Sequence, residues 1–326
     1  MSTRRKNPRS ETPFLWIPGQ GLDAESVLRM REQFRRPRAP MGEAWFMGEE
    51  RRMFNELLGD LDALDLEQIC SPLAEIASGN SSFGPMDEWT HWYRYLLAQL
   101  VTRHAEHSFE SVYQHLVTAF IALHPRGIDE PYAGFADDAM QTLGRCLMDP
   151  SRWTEARLAT SAPEDPRSGG RTEAFDWSVA CEDFSAGMFF CATYLPEEEL
   201  PAWLDSAFAI NCPLWTTQLF IWLLGVHPIL SGEVAQIGDL ELDPSTNVTW
   251  AWSHMLKGDF SGIYAPEPTP IPIFSPARRN AILAAVGRNV SETRYFGWLD
   301  AIKPYEYLEC ELADKPSRFA EVFQIA

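Results

Sequence analysis

The residues best equipped for chemistry in this 326-residue chain fall in one stretch, "WTHWYRYLLAQLVTRHAEHSFESVYQHLVTAFIALHP", residues 89–125, which holds five of the seven histidines. Converging imidazoles would hold zinc, an imidazole beside a carboxylate would move protons, and imidazoles on the outside of helices would do neither. Zinc needs three or four ligands meeting at one point. His104 and His107 supply two as HxxH, and HExxH is absent, so the spacing argues against a metal and no cofactor is expected. Other signatures fare no better. There is no GxxxxGK[ST] loop for nucleotide phosphates, and "DFSAG" around Ser185 lacks the first glycine of a nucleophile elbow. "GQGLDA", residues 19–24, fits GxGxxA, but Pro18 precedes it and basic "RRPRA" stands where an acidic ribose ligand belongs. Carboxylate pairs such as Asp87-Glu88, Asp129-Glu130, Asp137-Asp138 and Glu182-Asp183 are numerous, as solvated faces and helix starts require.

Periodicity places the histidines. Trp89, Trp92, Tyr93, Leu96, Leu97, Leu100 and Val101 recur at helical spacing, and Phe109, Val112, Tyr113, Leu116, Val117, Phe120 and Ile121 repeat the same offsets. Two amphipathic helices joined through "RHAEHS" form a hairpin over one core. At about 100° per residue, His91 stands about 180° and His115 about 140° from the apolar stripe, so both are expected on the outside. His104 and His107 fall at the turn and His124 at a helix end. Asp87, Glu88, Arg94 and Tyr95 accompany His91 outside, and aromatics with arginine are enriched in protein-binding hot spots. Asp87, Glu88, His91, Arg94, Tyr95 and His115 are therefore the candidate partner-binding residues.

The flanking segments set the frame. Residues 1–45 read as a basic N-terminal arm whose "FLWIP" docks onto the body. Residues 46–158 read as a helical domain that opens with the stripe in "ERRMFNELLGDLDAL", breaks near Gly59 and has a loop at "SGNSSFGP". "ATSAPEDPRSGGRT", residues 159–172, is the linker, and 173–326 a second helical domain. Within that, "PLWTTQLFIWLLGVHP" matches the first half at an offset of 103 residues, His124-Pro125 on His227-Pro228, which suggests a duplicated helical unit. "APEPTPIPIFSP" is an extended strap, Ser275 and Ser291 are helix caps, and "NVTWAWSHML" is a strand candidate. The expected fold is mostly α: antiparallel helix pairs packed as a bundle or short helical-repeat array, with few or no strands.

Charge narrows the partners. Residues 1–52 carry eleven Lys and Arg against seven Asp and Glu, whereas residues 53–326 carry sixteen against thirty-nine, a net of −23. Such a field repels nucleic acid and anionic lipid and steers a basic protein in. The longest apolar run, "LFIWLLGV", is far short of the ~20 residues of a membrane span, and the N-terminus has no apolar signal region. A cytoplasmic protein is expected, with six cysteines that show no CxxC acting as small buried hydrophobes.

The phrasing "DEWTHWYRYLLAQL…HLVTAFIALHP…PYAGFADDAMQTLGRCLMDP", over roughly residues 85–155, resembles uncharacterised bacterial α-helical proteins of the toxin-immunity type. The resemblance carries no active-site residue across. It implies an immunity or antitoxin-type protein that neutralises a basic partner such as a nuclease toxin. The alternative is an enzyme, a hydrolase or transferase, with residues gathered from distant helices. A third reading has the basic arm touch nucleic acid or membrane.

Overall fold

The computed structural model describes residues 13–43, 52–84, 86–107, 110–160, 173–242, 248, 250–256 and 272–325. Its N-terminal segment is built into the body. Phe14 and Trp16 are buried, the Trp16 indole stands edge-on to Trp203 and Trp215 with centroids 5.0 and 5.5 Å away, and its Nε1–H donates to the Gly144 carbonyl at 2.8 Å. "FLWIP" thus docks as expected. The following helix α1 (Ala24–Gln33) starts at Asp23, whose carboxylate accepts from the Ser26 N–H, and buries Val27 and Met30.

Two 3-10 turns, Asn55–Leu58 and Leu61–Ala63, stand where the stripe suggested a helix, with Gly59 ending the first. Helix α2 (Leu66–Phe83) opens with a reciprocal cap between Asp65 and Gln68. It then runs through Ser78–Ser82, where a loop was expected. Tertiary contacts outweigh the weak helix propensity of that stretch: Gly79 lies under the Trp89 indole and the Ser81 hydroxyl donates to the Met255 carbonyl at 2.7 Å.

Helices α3 (Asp87–Leu100) and α4 (Val112–Leu123) form the expected pair, linked through a 3-10 turn at Val101–Arg103. Helix α5 (Phe135–Thr142) tightens into a 3-10 segment at Leu143–Met148, and Asp149 caps the next turn, Pro150–Arg152. One short antiparallel hairpin, β1 (Trp153–Thr154) with β2 (Arg157–Leu158), is the strand content of the described residues. Helix α6 (Glu173–Tyr194) packs on α4, so α4, held between α2 and α6, is buried on every side.

The second half is arranged around α8 (Pro213–Ser231). It meets α6, then α9 (Pro276–Asn289), α10 (Glu292–Ile302) and α12 (Lys315–Val322), while α7 (Leu200–Ala209) lies on α9 and α11 (Tyr307–Leu312) on α6. Ser275 and Ser291 cap α9 and α10 as read. Helix α8 is longer than its apolar run indicated: by length and composition alone it could cross a membrane, but 78% of its apolar window is buried inside the fold. The two segments matched at an offset of 103 residues end differently, since His124 closes α4 whereas α8 continues through His227 and Pro228. In "NVTWAWSHML" the described residues turn at Trp252 into a 3-10 turn, Ser253–Met255, instead of a strand. Residues 161–172 of the linker and 265–271 of the strap lie outside the described residues. One buried apolar cluster runs from Phe14 to Phe319 and draws on both sides of that linker. Five cysteines are buried; Cys310 is exposed, contrary to expectation.

The fold is therefore mostly α, packed helix on helix, with few strands.

Candidate functional site

The histidines disperse instead of converging. His91 is exposed on α3, as its angle requires. His115 is not: only 1% of it reaches solvent. Helix α4 has no outer face, since α2 and α6 cover it. Its Nδ1–H donates to the Ser111 carbonyl at 3.0 Å, and Nε2 lies 3.2 Å from Glu110 Oε2. Burial disfavours the imidazolium, but hydrogen bonds with Cys70 and Glu110 outweigh it and hold the pKa up at about 10. His104 and His124 are buried as well, and burial pushes each down to about 4, aided by the cations of Arg152 and Arg94 respectively. Among the described residues no three of His, Cys, Asp and Glu are grouped as metal ligands.

A polar network runs through the interior beside His115. The Ser111 hydroxyl and the Gln114 amide both donate to Asp183 Oδ1, the latter at 3.1 Å. Arg152 donates to Asp183 Oδ2 at 2.7 Å and to the His104 carbonyl at 2.8 Å. Gln114 Oε1 accepts from the Ala251 N–H at 3.1 Å, and the Trp250 indole donates to Thr118 Oγ1 at 2.6 Å. The network clamps α4, α6, the Pro150–Arg152 turn and the Trp250 segment together, satisfying groups that would otherwise be costly to bury. Next to Asp183, the Glu182 carboxyl is pushed up to about 7, first by burial and then by the Asp183 charge. A carboxylic acid held near neutrality can donate or accept a proton at physiological pH. Sequence reasoning filed Glu182-Asp183 among solvated pairs. The missed signal is their position inside the helical stretch "SVACEDFSAG", flanked by buried Cys181 and Phe184.

The outer side of α3 carries four of the six candidate residues, and three of them, Glu88, His91 and Arg94, line open space. Asp87 and His91 are exposed; Glu88 and Arg94 are half-buried, Glu88 accepting from the Gly42 N–H at 2.9 Å. Tyr95 instead packs edge-on against Trp92, centroids 5.9 Å apart. A cleft of about 570 Å³ is lined by Arg35, Arg38, Arg52, Glu88 and His91 together with Pro37, Pro40 and Trp92. A smaller cavity of about 220 Å³ is lined by Arg35, His91, Arg94, Gln33, Phe34, Pro131 and Tyr132. The two cavities are locally cationic. Burial lowers the Arg94 pKa from the usual arginine value, partly offset by Asp129 and Asp87, and its Nε is buried without a hydrogen bond. A third cavity, about 410 Å³, opens at the end of α4 beside Asn80, Ser81, His124, Asp129 and Gln236.

No protein-family profile, no curated protein and no solved structure matches this chain.

Proposed function

We propose that this chain is an acidic protein-binding module of the immunity or antitoxin type, which neutralises a basic protein such as a nuclease toxin in the cytoplasm. The observation that carries this reading is the charge partition, −23 over residues 53–326. Between Arg52 and Arg94 stand eight carboxylates and no Lys or Arg, and Asp60, Asp62, Asp65 and Glu67 are exposed at the head of α2. A field of this sign accelerates encounter with a basic surface, and the carboxylates then pair with its lysines and arginines. The action needs no cofactor. Affinity capture of the tagged protein from its source cells, at low and moderate salt, tests it. The expected result is one basic protein, released as salt rises and weakened about tenfold by Asp62→Lys with Glu67→Lys; absence of a partner at both salts rejects the reading.

A second reading, an enzyme of hydrolase or transferase type, is favoured by one observation. Glu182 is held up to about 7 beside Asp183, which suits it to general acid or base work at neutral pH. An activity that survives Glu182→Gln unchanged would speak against it.

A further inference from the structure

We infer that the paired cavities between α3 and the segment following α1 form a binding site for a phosphorylated small molecule. Arginine use across the described residues makes the case. Arg29 and Arg152 are spent on carboxylates, and Arg31 and Arg36 on backbone carbonyls at 2.9 and 2.8 Å. Arg35, Arg38, Arg52 and Arg94 line the two cavities, and none of the four has a hydrogen-bond or ion-pair partner among the described residues. Arg35, Arg38 and Arg52 are exposed and Arg94 is half-buried with its Nε unbonded, so four guanidiniums lie in neighbouring positions in a chain with 46 acidic and 27 basic residues.

The chemistry selects the ligand. Guanidinium forks match the tetrahedral oxygens of phosphate, and a dianion is needed to satisfy more than one of them. Arg35 and His91 belong to both cavities, so they stand at the junction. The 220 Å³ cavity, with Arg94 half-buried in its wall, admits the phosphate; the 570 Å³ cleft, walled by Pro37, Ala39, Pro40 and Trp92 between Arg38 and Arg52, admits the body of the molecule. Glu88 is the one described carboxylate in either lining, and it is engaged by the Gly42 N–H. Asp87 and Asp129 act on Arg94 through space without reaching hydrogen-bond distance, and a bound phosphate would meet their repulsion in part. This inference is independent of the proposed protein partner, since the site is of opposite sign to the surface that partner would need.

Isothermal titration of the full-length protein with inorganic phosphate and with pyrophosphate, acetate serving as a monoanionic control, tests the site. The expected result is saturable binding of pyrophosphate at one site, tighter than acetate by at least about tenfold and weakened by at least about tenfold in Arg94→Gln and in Arg35→Gln. Arg35 is exposed, so its replacement leaves the fold intact, and a thermal melt checks Arg94→Gln; Arg94→Lys replaces it if it does not fold. No saturable heat up to about 10 mM, acetate binding as tightly as phosphate, or equal binding by wild type and both variants would overturn the inference.

Discussion

The Arg152 guanidinium reaches Asp183 Oδ2 at 2.7 Å inside the fold, an ion pair in which the carboxylate is 1% exposed. The carboxylate has no water to turn to when the guanidinium is removed, and only 13% of the Arg152 side chain reaches solvent. Asp183→Ala is expected to destabilise the protein by about 3–5 kcal/mol, because it strands a buried guanidinium and takes the acceptor from Ser111 and Gln114. Adding Arg152→Ala should cost much less than it does alone. Urea unfolding of the two single variants and the double variant measures this coupling, and additive losses would contradict it.

Stability should peak near pH 6.5. An unfolded histidine takes up a proton near its ordinary 6.5, which His104 and His124, held at about 4, refuse; stability from this source falls as pH drops through that window. Glu182 acts oppositely. It keeps its proton up to about 7 when folded but loses it near 4.5 when unfolded, so its contribution fades as pH rises between those values. Two histidines against one carboxyl leave a net one-proton difference between about pH 4.5 and 6.5, a slope of about 1.4 kcal/mol per unit rising with pH. Above 6.5 His115, protonated in the fold up to about 10, reverses the slope. Urea midpoints across this range test the curve, and His115→Gln should flatten its alkaline limb.

Gly79→Ala should weaken the fold although alanine is the better helix former by about 1 kcal/mol. A Cβ at Gly79 would stand 2.7 Å from Cζ2 of Trp89, an indole fully buried and unable to swing away. Overpacking of this kind costs about 1–3 kcal/mol, which exceeds the propensity gain. A thermal melt that rises instead of falling would refute the close approach.

Trp16→Ala should cost about 3–5 kcal/mol, the range for emptying a large buried aromatic site. Deleting residues 1–43 as a dispensable arm should be worse, since Phe14, Val27, Met30 and Phe34 leave the core with it. Near-ultraviolet dichroism and urea unfolding read both variants.

How far the chain could be read without coordinates depended on whether local pattern or long-range packing decided each element. Ser275 and Ser291 announce their helices because a cap is a local device, and the α3 stripe is legible because its polar face is genuinely wet. His115 is the counterexample. Its angle means outside only on a two-sided helix, yet "VYQHLVTAFIAL" contains no Asp, Glu, Lys or Arg, the pattern of a helix covered all round. The arginines of the cationic cleft were equally hidden. Arg35 and Arg38 lie more than fifty residues before His91, and only the packing of α1 against α3 brings them together.

The seat of Trp16 also fixes an order in time. Its backbone N–H donates to the Ser206 hydroxyl, 190 residues further along the chain. A ribosome adding about 5–20 residues per second takes on the order of 10–40 s to cover that distance. Until then the indole that finally lies between Trp203 and Trp215 has no site to enter. The segment around Trp16 thus settles only after a long stretch of later chain has been made, and the nascent chain carries an exposed indole until then.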